Sequence, residues 1–339
     1  MLALLALLAL VVAACTGDDE PEVLTEGDRV TISLAVLDKP GHRTALYAIE
    51  QQIVASDTVD VVLRYLPRSE IDEAVRSKQF DVIEVAAPTV PLDAADDFDL
   101  VVLSSGLQDL DGTLLFVSAD STLATPRGLA GKTYGVVSRG DASTLVTRFL
   151  LQRSYGIDAS LQADEVTIEE APPESLPTLV EKDEVEAAVV TEFGAFQLLG
   201  DDDFRVLSHV AVEVQELTDG PIMSTLLVTY PDIAGRKADA LKELSRLLAE
   251  SVAYFKANQD SVIETVAADQ RVDPAFLSWW WERYDLPLGD LSEGTQTQIL
   301  SVWEAARVLG DIEGYPELVD VLFNPAAPTP TPEPVPPSS

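Results

Sequence analysis

A short apolar strand followed at once by a long amphipathic helix, within residues 128–158, constrains the fold of this chain most strongly. The pattern predicts a strand at 133–137 and a polar loop at 138–143. The helix that follows has one apolar stripe, formed by Leu145, Val146, Phe149 and Leu150, and Gly156 stands where its C-cap belongs. The loop therefore lies where a strand ends and a helix begins. Backbone N–H groups and the helix dipole favour a ligand at that position in α/β proteins.

Strands alternate with helices in the same way on the N-terminal side of that stretch. Strands are predicted at 30–37, 60–66 and 80–85, and helices at 42–55 and 69–78. Two further strands, 100–103 and 114–117, have no long helix between them, which is typical of a crossing between two domains. Alternation of this kind predicts βαβ units around a parallel sheet.

The alternation resumes after residue 158 and then gives way to helices. Strands are predicted at 165–168, 187–190 and 204–207, helices at 174–184 and 193–199, and return strands at 212–214 and 224–229. Apolar residues spaced three and four apart then predict helices at 236–258, 259–269, 274–284, 295–309 and 316–322. A second α/β unit with a helical C-terminal region follows from this order.

The N-terminal residues 1–14 form a continuous apolar run that is too short for a membrane span of about 20 residues. The run suits the hydrophobic part of a signal peptide, and Val12 to Cys15 look like a lipobox. We therefore expect a lipoprotein signal peptide at 1–15, lipid attachment at Cys15 and a polar tether at 16–27. A buried N-terminal helix is the alternative interpretation.

The charge balance and the few cysteines and histidines exclude several classes of protein. Acidic side chains number 58 against 22 basic ones, for a formal net charge of −36, and no cluster of Lys and Arg suits nucleic acid. Solubility or a salty or acidic environment is the favoured explanation of this acidity, and a cationic ligand is the alternative. Cys15 is the single cysteine, and His42 and His209 stand far apart, so neither a disulfide nor a metal site is expected.

Three segments resemble a known family. LAGKTYGVVSRGDASTLVTRFLLQRSYGID, EVEAAVVTEFGAFQLL and SEIDEAVRSKQFDVIEV resemble segments of type II periplasmic binding proteins, the solute receptors of ABC importers. The nearest branch comprises receptors for sulfonates, taurine, nitrate and thiamine-pyrimidine precursors. In the second segment Glu186 replaces the usual Asp and Phe193 replaces the usual Pro. The resemblance covers residues 30 to 255.

The resemblance implies an α/β, two-lobed type II fold with a discontinuous first lobe and a helical C-terminal region. We expect the first lobe at 28–112 and 212–324, and the second lobe, which includes the crossing strands, at 113–211. The Pro-rich tail at 325–339 cannot pack a core and is expected to be extended and disordered.

The resemblance also implies a function. We expect an extracytoplasmic, membrane-anchored lipoprotein, monomeric and without a cofactor, that captures a small polar or anionic organic molecule in the cleft between its lobes. It would deliver this solute to an ABC permease and ATPase. The alternative is a ligand-sensing protein that signals to a membrane partner without transport. Catalysis is not expected, because no Ser-His-Asp set, Gly-rich phosphate loop or paired-carboxylate motif is present.

Ligand contacts are expected in the loops that follow strands, because ligand closes such a cleft from both lobes. The candidate residues are Lys39, His42, Ala86, Pro88 and Thr89 in the first lobe, and Ser138, Arg139, Asp141, Ser143, Thr191 and Glu192 in the second. Arg139 could equally be a solvated loop charge, and Asp141 or Ser143 could serve only as a helix cap. Asp141 and Glu192 weigh against a bare anion, whereas a zwitterion or a polar heterocycle would use both signs of charge.

Overall fold

The computed structural model of the protein describes residues 29–96, 98–218 and 220–324. The predicted signal peptide, the lipid-attachment residue Cys15, the tether at 16–27 and the Pro-rich tail at 325–339 lie outside the described residues. Among the helices that the structure describes, none combines the length and the apolar composition needed to cross a bilayer.

Thirteen strands are found in the described part of the chain. They are β1 (Val30–Leu37), β2 (Val59–Leu66), β3 (Val82–Ala86), β4 (Val101–Ser105), β5 (Gln108–Asp109), β6 (Leu114–Ser118), β7 (Thr133–Val136), β8 (Thr167–Glu170), β9 (Ala187–Val190), β10 (Phe204–His209), β11 (Ile222–Met223), β12 (Thr225–Thr229) and β13 (Tyr284–Asp285).

Helices surround these strands. They are α1 (Pro40–Ala45), α2 (Tyr47–Glu50), α3 (Arg68–Arg76), α4 (Thr89–Ala95), α5 (Ala142–Tyr155), α6 (Leu176–Glu181), α7 (Glu192–Leu198), α8 (Val210–Thr218), α9 (Pro231–Arg236), α10 (Ala238–Ala257), α11 (Gln259–Gln270), α12 (Pro274–Arg283), α13 (Glu293–Val308) and α14 (Leu318–Val321), with 3₁₀ turns at Pro126–Leu129 and Pro173–Ser175.

The strands form two separate five-stranded sheets. The first has the order β2-β1-β3-β12-β4 and the second the order β10-β6-β9-β7-β8. In each sheet the three strands of the βαβ units run parallel, and the remaining two run antiparallel to their neighbours. Strands such as β9 (AAVV) and β12 (TLLVT) are buried along their whole length, as expected of strands covered on both faces.

A small three-stranded sheet, β11-β5-β13, lies apart from the two large ones. β5 belongs to the connection from the first sheet to the second, and β11 to the connection back. β13 comes from the helical C-terminal region and pairs with β5, so that Tyr284 lies opposite Asp109. Three distant parts of the sequence therefore meet at this crossing.

The helix predicted after residue 138 is confirmed. α5 spans Ala142–Tyr155 with Asp141 at its N-cap, and Gly156 takes the left-handed conformation with φ of 68°. Nine of its residues are buried because α5 packs against α8 and α13 as well as against its own sheet. One of these nine is Arg148, a charged residue that does not belong to the predicted apolar stripe.

Three local predictions were wrong. The single helix expected at 42–55 is two short helices, α1 and α2, separated by Leu46 and ending at Glu50. The return strand expected at 212–214 lies inside α8, where Val210, Ala211 and Val214 are buried with helical spacing. Ala86 and Thr89 were expected in the loop after the strand at 80–85, but Ala86 is the last residue of β3 and Thr89 the first residue of α4.

The helix α13, in the C-terminal region, contacts segments next to both large sheets. The indole N–H of its buried Trp303 donates to the carbonyl of Ala87, just beyond β3, at 2.9 Å. On the other side α13 packs against α5. Just past α13, Asp311 accepts two hydrogen bonds from Arg148 of α5, at 2.6 and 2.8 Å. The C-terminal region therefore holds the two sheets together at a site away from the loops.

We predict that Arg148→Met lowers the free energy of unfolding by about 3 kcal/mol, because it leaves Asp311 without the cation that compensates its partial burial. The side chain of Arg148 is 0% exposed and that of Asp311 is 11% exposed. Urea denaturation measures the loss. Arg246→Met is the control, since Arg246 pairs with Glu243 and Glu250 on an exposed helix face and should cost less than about 1 kcal/mol. Equal losses in the two variants would contradict this account.

Candidate functional site

A cavity of about 630 Å³ lies between the two large sheets. Its walls come from the carboxyl ends of β1, β3, β7 and β9, from the crossing strand β5 and from Tyr284 of β13. Ligands of α/β proteins usually bind beyond the carboxyl ends of strands. A volume of this size suits a small organic molecule.

Six of the eleven candidate residues line this cavity. They are Lys39, Ala86, Asp141, Ser143, Thr191 and Glu192. Residues from loops of both sheets are therefore brought together, as the strand-end argument expects. Whether each one contacts a ligand stays a prediction.

The other five candidates do not line the cavity. His42 is 1% exposed and hydrogen-bonds Glu84 from behind the cavity wall, while Pro88 and Thr89 lie at the start of α4. The guanidinium of Arg139 turns to the edge strand β8, where it donates to the carbonyl of Ile168 at 2.6 Å and lies 3.5 Å from Glu170. Ser138 makes its hydrogen bonds close to its own loop. Its hydroxyl accepts from the N–H of Gly140, and its carbonyl accepts from the hydroxyl of Thr144.

Two ion pairs join the loops of the first sheet to those of the second. The ammonium group of Lys39 lies 2.5 Å from Glu192, and the guanidinium of Arg68 lies 3.3 Å from Asp141. Burial by itself would lower the pKa of Lys39, but the carboxylates of Glu192, Glu84 and Asp141 raise it above its usual value. Burial raises the pKa of Asp141, and Arg68 and Lys39 oppose that shift.

Glu84 supplies a buried carboxylate to the wall of the cavity. It accepts hydrogen bonds from the Leu37 N–H at 3.0 Å, from His42 Nε2 at 2.9 Å and from the Thr225 hydroxyl at 2.6 Å. Burial alone would raise the pKa of Glu84, yet His42 and the hydrogen bonds hold it below its usual range. Glu84 is not among the residues predicted for the site, although an acidic residue inside the apolar strand FDVIEV was a usable signal.

Asp109 is a second buried carboxylate in the cavity wall. It accepts from the Gly112 N–H at 2.6 Å and from the Thr113 hydroxyl at 2.5 Å, and no cation lies within salt-bridge distance of it in the described residues. Burial raises the pKa of Asp109 to about 6. Asp109 lies in β5, which is only two residues long and so shows no hydrophobic alternation that would reveal a strand in the sequence.

Tyr284 fixes the backbone at the entrance of α7. The N–H of Glu192 donates to the Tyr284 hydroxyl at 3.1 Å, and burial raises the pKa of that hydroxyl well above its usual value. Glu192 has a φ of 52°, in the left-handed region that a non-glycine residue rarely adopts. Strained residues of this kind cluster at functional sites, where the surrounding structure holds them. Tyr284 reaches the cavity from the C-terminal region, so local sequence gave no sign of it.

Apolar side chains complete the wall. They are Leu37, Ile71, Val85, Leu107, Val137, Val189, Phe193 and Leu198. The tryptophans of the WWW segment do not line the cavity. Trp280 is buried in the core beneath α1, and Trp281 donates its indole N–H to the Thr44 hydroxyl at 2.9 Å. The cavity therefore combines apolar walls with a few charged groups, which is the usual composition of a small-molecule site.

Residues 40–262 match the family model described as NMT1/THI5 like. Among curated proteins, no sequence matches the chain significantly. Resemblance to solute receptors, inferred above from three sequence segments, is thus confirmed at the level of the family.

Solved structures with similar folds include binding proteins from several organisms. The periplasmic aliphatic sulphonate binding protein SsuA from Escherichia coli is 11% identical with a TM-score of 0.68, over 87% of this chain and 98% of that one. The ligand-binding component of an ABC-type import system from Staphylococcus aureus is 12% identical with a TM-score of 0.64, over 87% and 96%. The Candida albicans CA3427 product, described as having the generic periplasmic binding protein fold, is 14% identical with a TM-score of 0.67, over 86% and 95%. The predicted fold class is therefore confirmed.

We predict that Asp109→Asn changes how stability depends on pH. A carboxyl whose pKa is about 6 when folded and about 4 when unfolded binds more protons in the folded state, so its ionisation destabilises the fold as pH rises. The variant lacks this penalty. Its stability relative to the natural chain should rise by an amount on the order of 3 kcal/mol between about pH 4 and pH 7.

Urea denaturation at a series of pH values measures this difference. Asp164→Asn serves as the control, because Asp164 is an exposed loop residue, and its relative stability should stay flat. A flat curve for Asp109→Asn as well would show that Asp109 titrates normally.

Proposed function

The chain belongs to the NMT1/THI5-like family, and we propose that it is an extracytoplasmic solute-binding protein that captures a small polar organic molecule between its two sheets. The observation that carries this proposal is the cavity of about 630 Å³ that loops of both sheets enclose. In such a protein the solute stabilises the arrangement in which both halves contact it, and closure follows from that difference in binding free energy.

The proposal assigns capture and delivery rather than chemistry to this site. Lys39, Ala86, Asp141, Ser143, Thr191 and Glu192 would contact the solute. The first lobe would comprise 28–112 and 212–324 and the second 113–211. The ion pairs Lys39–Glu192 and Arg68–Asp141 join loops of the two sheets, so a solute that contacts these groups would contact both halves of the cleft.

The proposed partners are an ABC permease and its ATPase, on the analogy of the importer component from Staphylococcus aureus that shares the fold. We further propose that the chain is a monomer, anchored to the membrane by a lipid on Cys15. Uptake of the identified solute into cells should be lost when the gene is deleted. Uptake that persists, together with loss of a transcriptional response to the solute, would favour the sensing alternative instead.

We predict that a solute of the right class raises the melting temperature of the purified protein. Ligand that binds only the folded state stabilises it by about 2.7 kcal/mol at 100 times its dissociation constant. A thermal-shift screen of sulfonates, nitrate, pyrimidines, amino acids and organic amines identifies the class. Failure of every class at millimolar concentration would contradict a solute-binding function.

A matched pair of variants locates the binding site. Ser143→Trp would fill the cavity from the first turn of α5 and should abolish the thermal shift. Ser154→Trp places the same side chain on an exposed position near the far end of α5 and should leave the shift unchanged. Loss of binding in both variants, or in neither, would place the solute elsewhere.

A further inference from the structure

The cavity wall carries more negative than positive charge. Its basic residues are Lys39 and Arg68, and its acidic residues are Glu84, Asp109, Asp141, Glu174 and Glu192. The wall therefore has an excess of three negative charges when all of these groups are ionised. His42 lies behind Glu84 and adds at most one positive charge. The wall therefore keeps an excess of negative charge whether His42 is neutral or protonated.

Both cations of the wall are already engaged by carboxylates. Lys39 pairs with Glu192 at 2.5 Å, and Arg68 pairs with Asp141 at 3.3 Å and with Asp72 at 3.1 Å. A sulfonate or another anion would have to take one of these cations from its partner. It would then lie beside several carboxylates in a partly desolvated space, where like charges repel strongly.

Lys39 behaves as a counter-ion tethered to the protein. Its ammonium group interacts with three carboxylates of the cavity wall, those of Glu192, Glu84 and Asp141. Asp109, by contrast, is 2% exposed and has only the neutral donors of Gly112 and Thr113. A positively charged nitrogen on a ligand would satisfy the carboxylates that Lys39 leaves uncompensated.

The wall favours an organic cation over a metal ion. Among the residues that the structure describes, no three His, Cys, Asp or Glu side chains are grouped so that they could hold a metal. The volume of about 630 Å³ and the many apolar side chains suit a molecule with a hydrocarbon or aromatic body. Phe193, which is 46% exposed, adds an aromatic ring to the cavity wall, and aromatic rings attract cations.

We propose that the solute is an organic cation, whose positively charged nitrogen binds among Glu84, Asp109 and Glu192 and competes with the ammonium group of Lys39 for Glu84 and Glu192. This proposal rests on the solute-binding function proposed above and narrows its ligand class. It assigns part of the acidity of the chain to ligand binding, the alternative that the composition leaves open, and it sets this site apart from the sulfonate-binding proteins that share the fold.

Probes of matched shape and different charge test the proposal. Isothermal titration calorimetry at low ionic strength compares benzamidine with benzamide and benzenesulfonate, and agmatine, choline and butylammonium with 1-butanol and butanesulfonate. At least one cation should bind, and its neutral and anionic counterparts should bind at least tenfold more weakly.

Binding of an anionic or neutral probe without binding of any cation would overturn this inference alone. If no probe binds, and the wider thermal-shift screen also fails, the solute-binding function itself is refuted. A non-cationic hit in that screen would overturn only the charge assignment.

Lys39→Gln gives the sharpest result because the two ligand classes predict opposite signs. If Lys39 competes with a cationic ligand, its removal should tighten binding of the cation by about tenfold. If Lys39 instead binds an anion, the same variant should weaken binding. Lys242→Gln, an exposed lysine of α10 outside the cavity wall, is the matched control and should leave the affinity unchanged.

A second variant covers the case in which Lys39→Gln does not fold. Glu174 is an exposed carboxylate of the cavity wall, so Glu174→Gln should leave the fold intact. It should weaken binding of the cation by about threefold at low salt, and this difference should shrink as salt is added. Tighter binding of the cation to Glu174→Gln would overturn the proposal.

Discussion

The ion pairs Lys39–Glu192 and Arg68–Asp141 connect loops of the first sheet directly with loops of the second. Each pair joins the carboxyl end of the first sheet to the start of a helix in the second. Charges in a partly buried space cost free energy unless they are compensated. The two ion pairs therefore help to hold the sheets together at the partly exposed rim of the cavity, its mouth, and a charged ligand would change that balance of charge.

Away from the cavity the sheets are held by different contacts. Trp303 of α13 hydrogen-bonds the backbone beyond β3, while Arg148 of α5 hydrogen-bonds Asp311 just past α13. The small sheet of β5, β11 and β13 joins both connections between the sheets with the C-terminal region. The α13 contacts are buried or nearly so, whereas the ion pairs at the mouth are partly exposed. Relative motion of the sheets should therefore open the cavity at its mouth and leave the contacts of α13 intact.

Local sequence patterns predicted most of the strands, the helix α5 and several of the residues that line the cavity, because strand–helix alternation and strand ends are local features. They placed Lys39, Asp141 and Glu192 at the cavity for the same reason.

His42 was misplaced because α1 begins at Pro40, which turns His42 inward onto Glu84. Asp109 and Tyr284 could not be found, since each enters the site through pairing of segments about 175 residues apart in the sequence. The strand predicted at 212–214 was wrong for a different reason. A run of apolar residues this short fits a strand or a buried helix equally well.

We propose that a solute binds between the two sheets and draws them together at the cavity mouth. The most direct measurement is the distance between spin labels on α3 and α6, at Glu73→Cys and Glu181→Cys, with Cys15 replaced by Ser. Double electron–electron resonance should show a shorter and narrower distance distribution when the solute is saturating. An unchanged distribution, with binding verified in the same sample, would contradict the account.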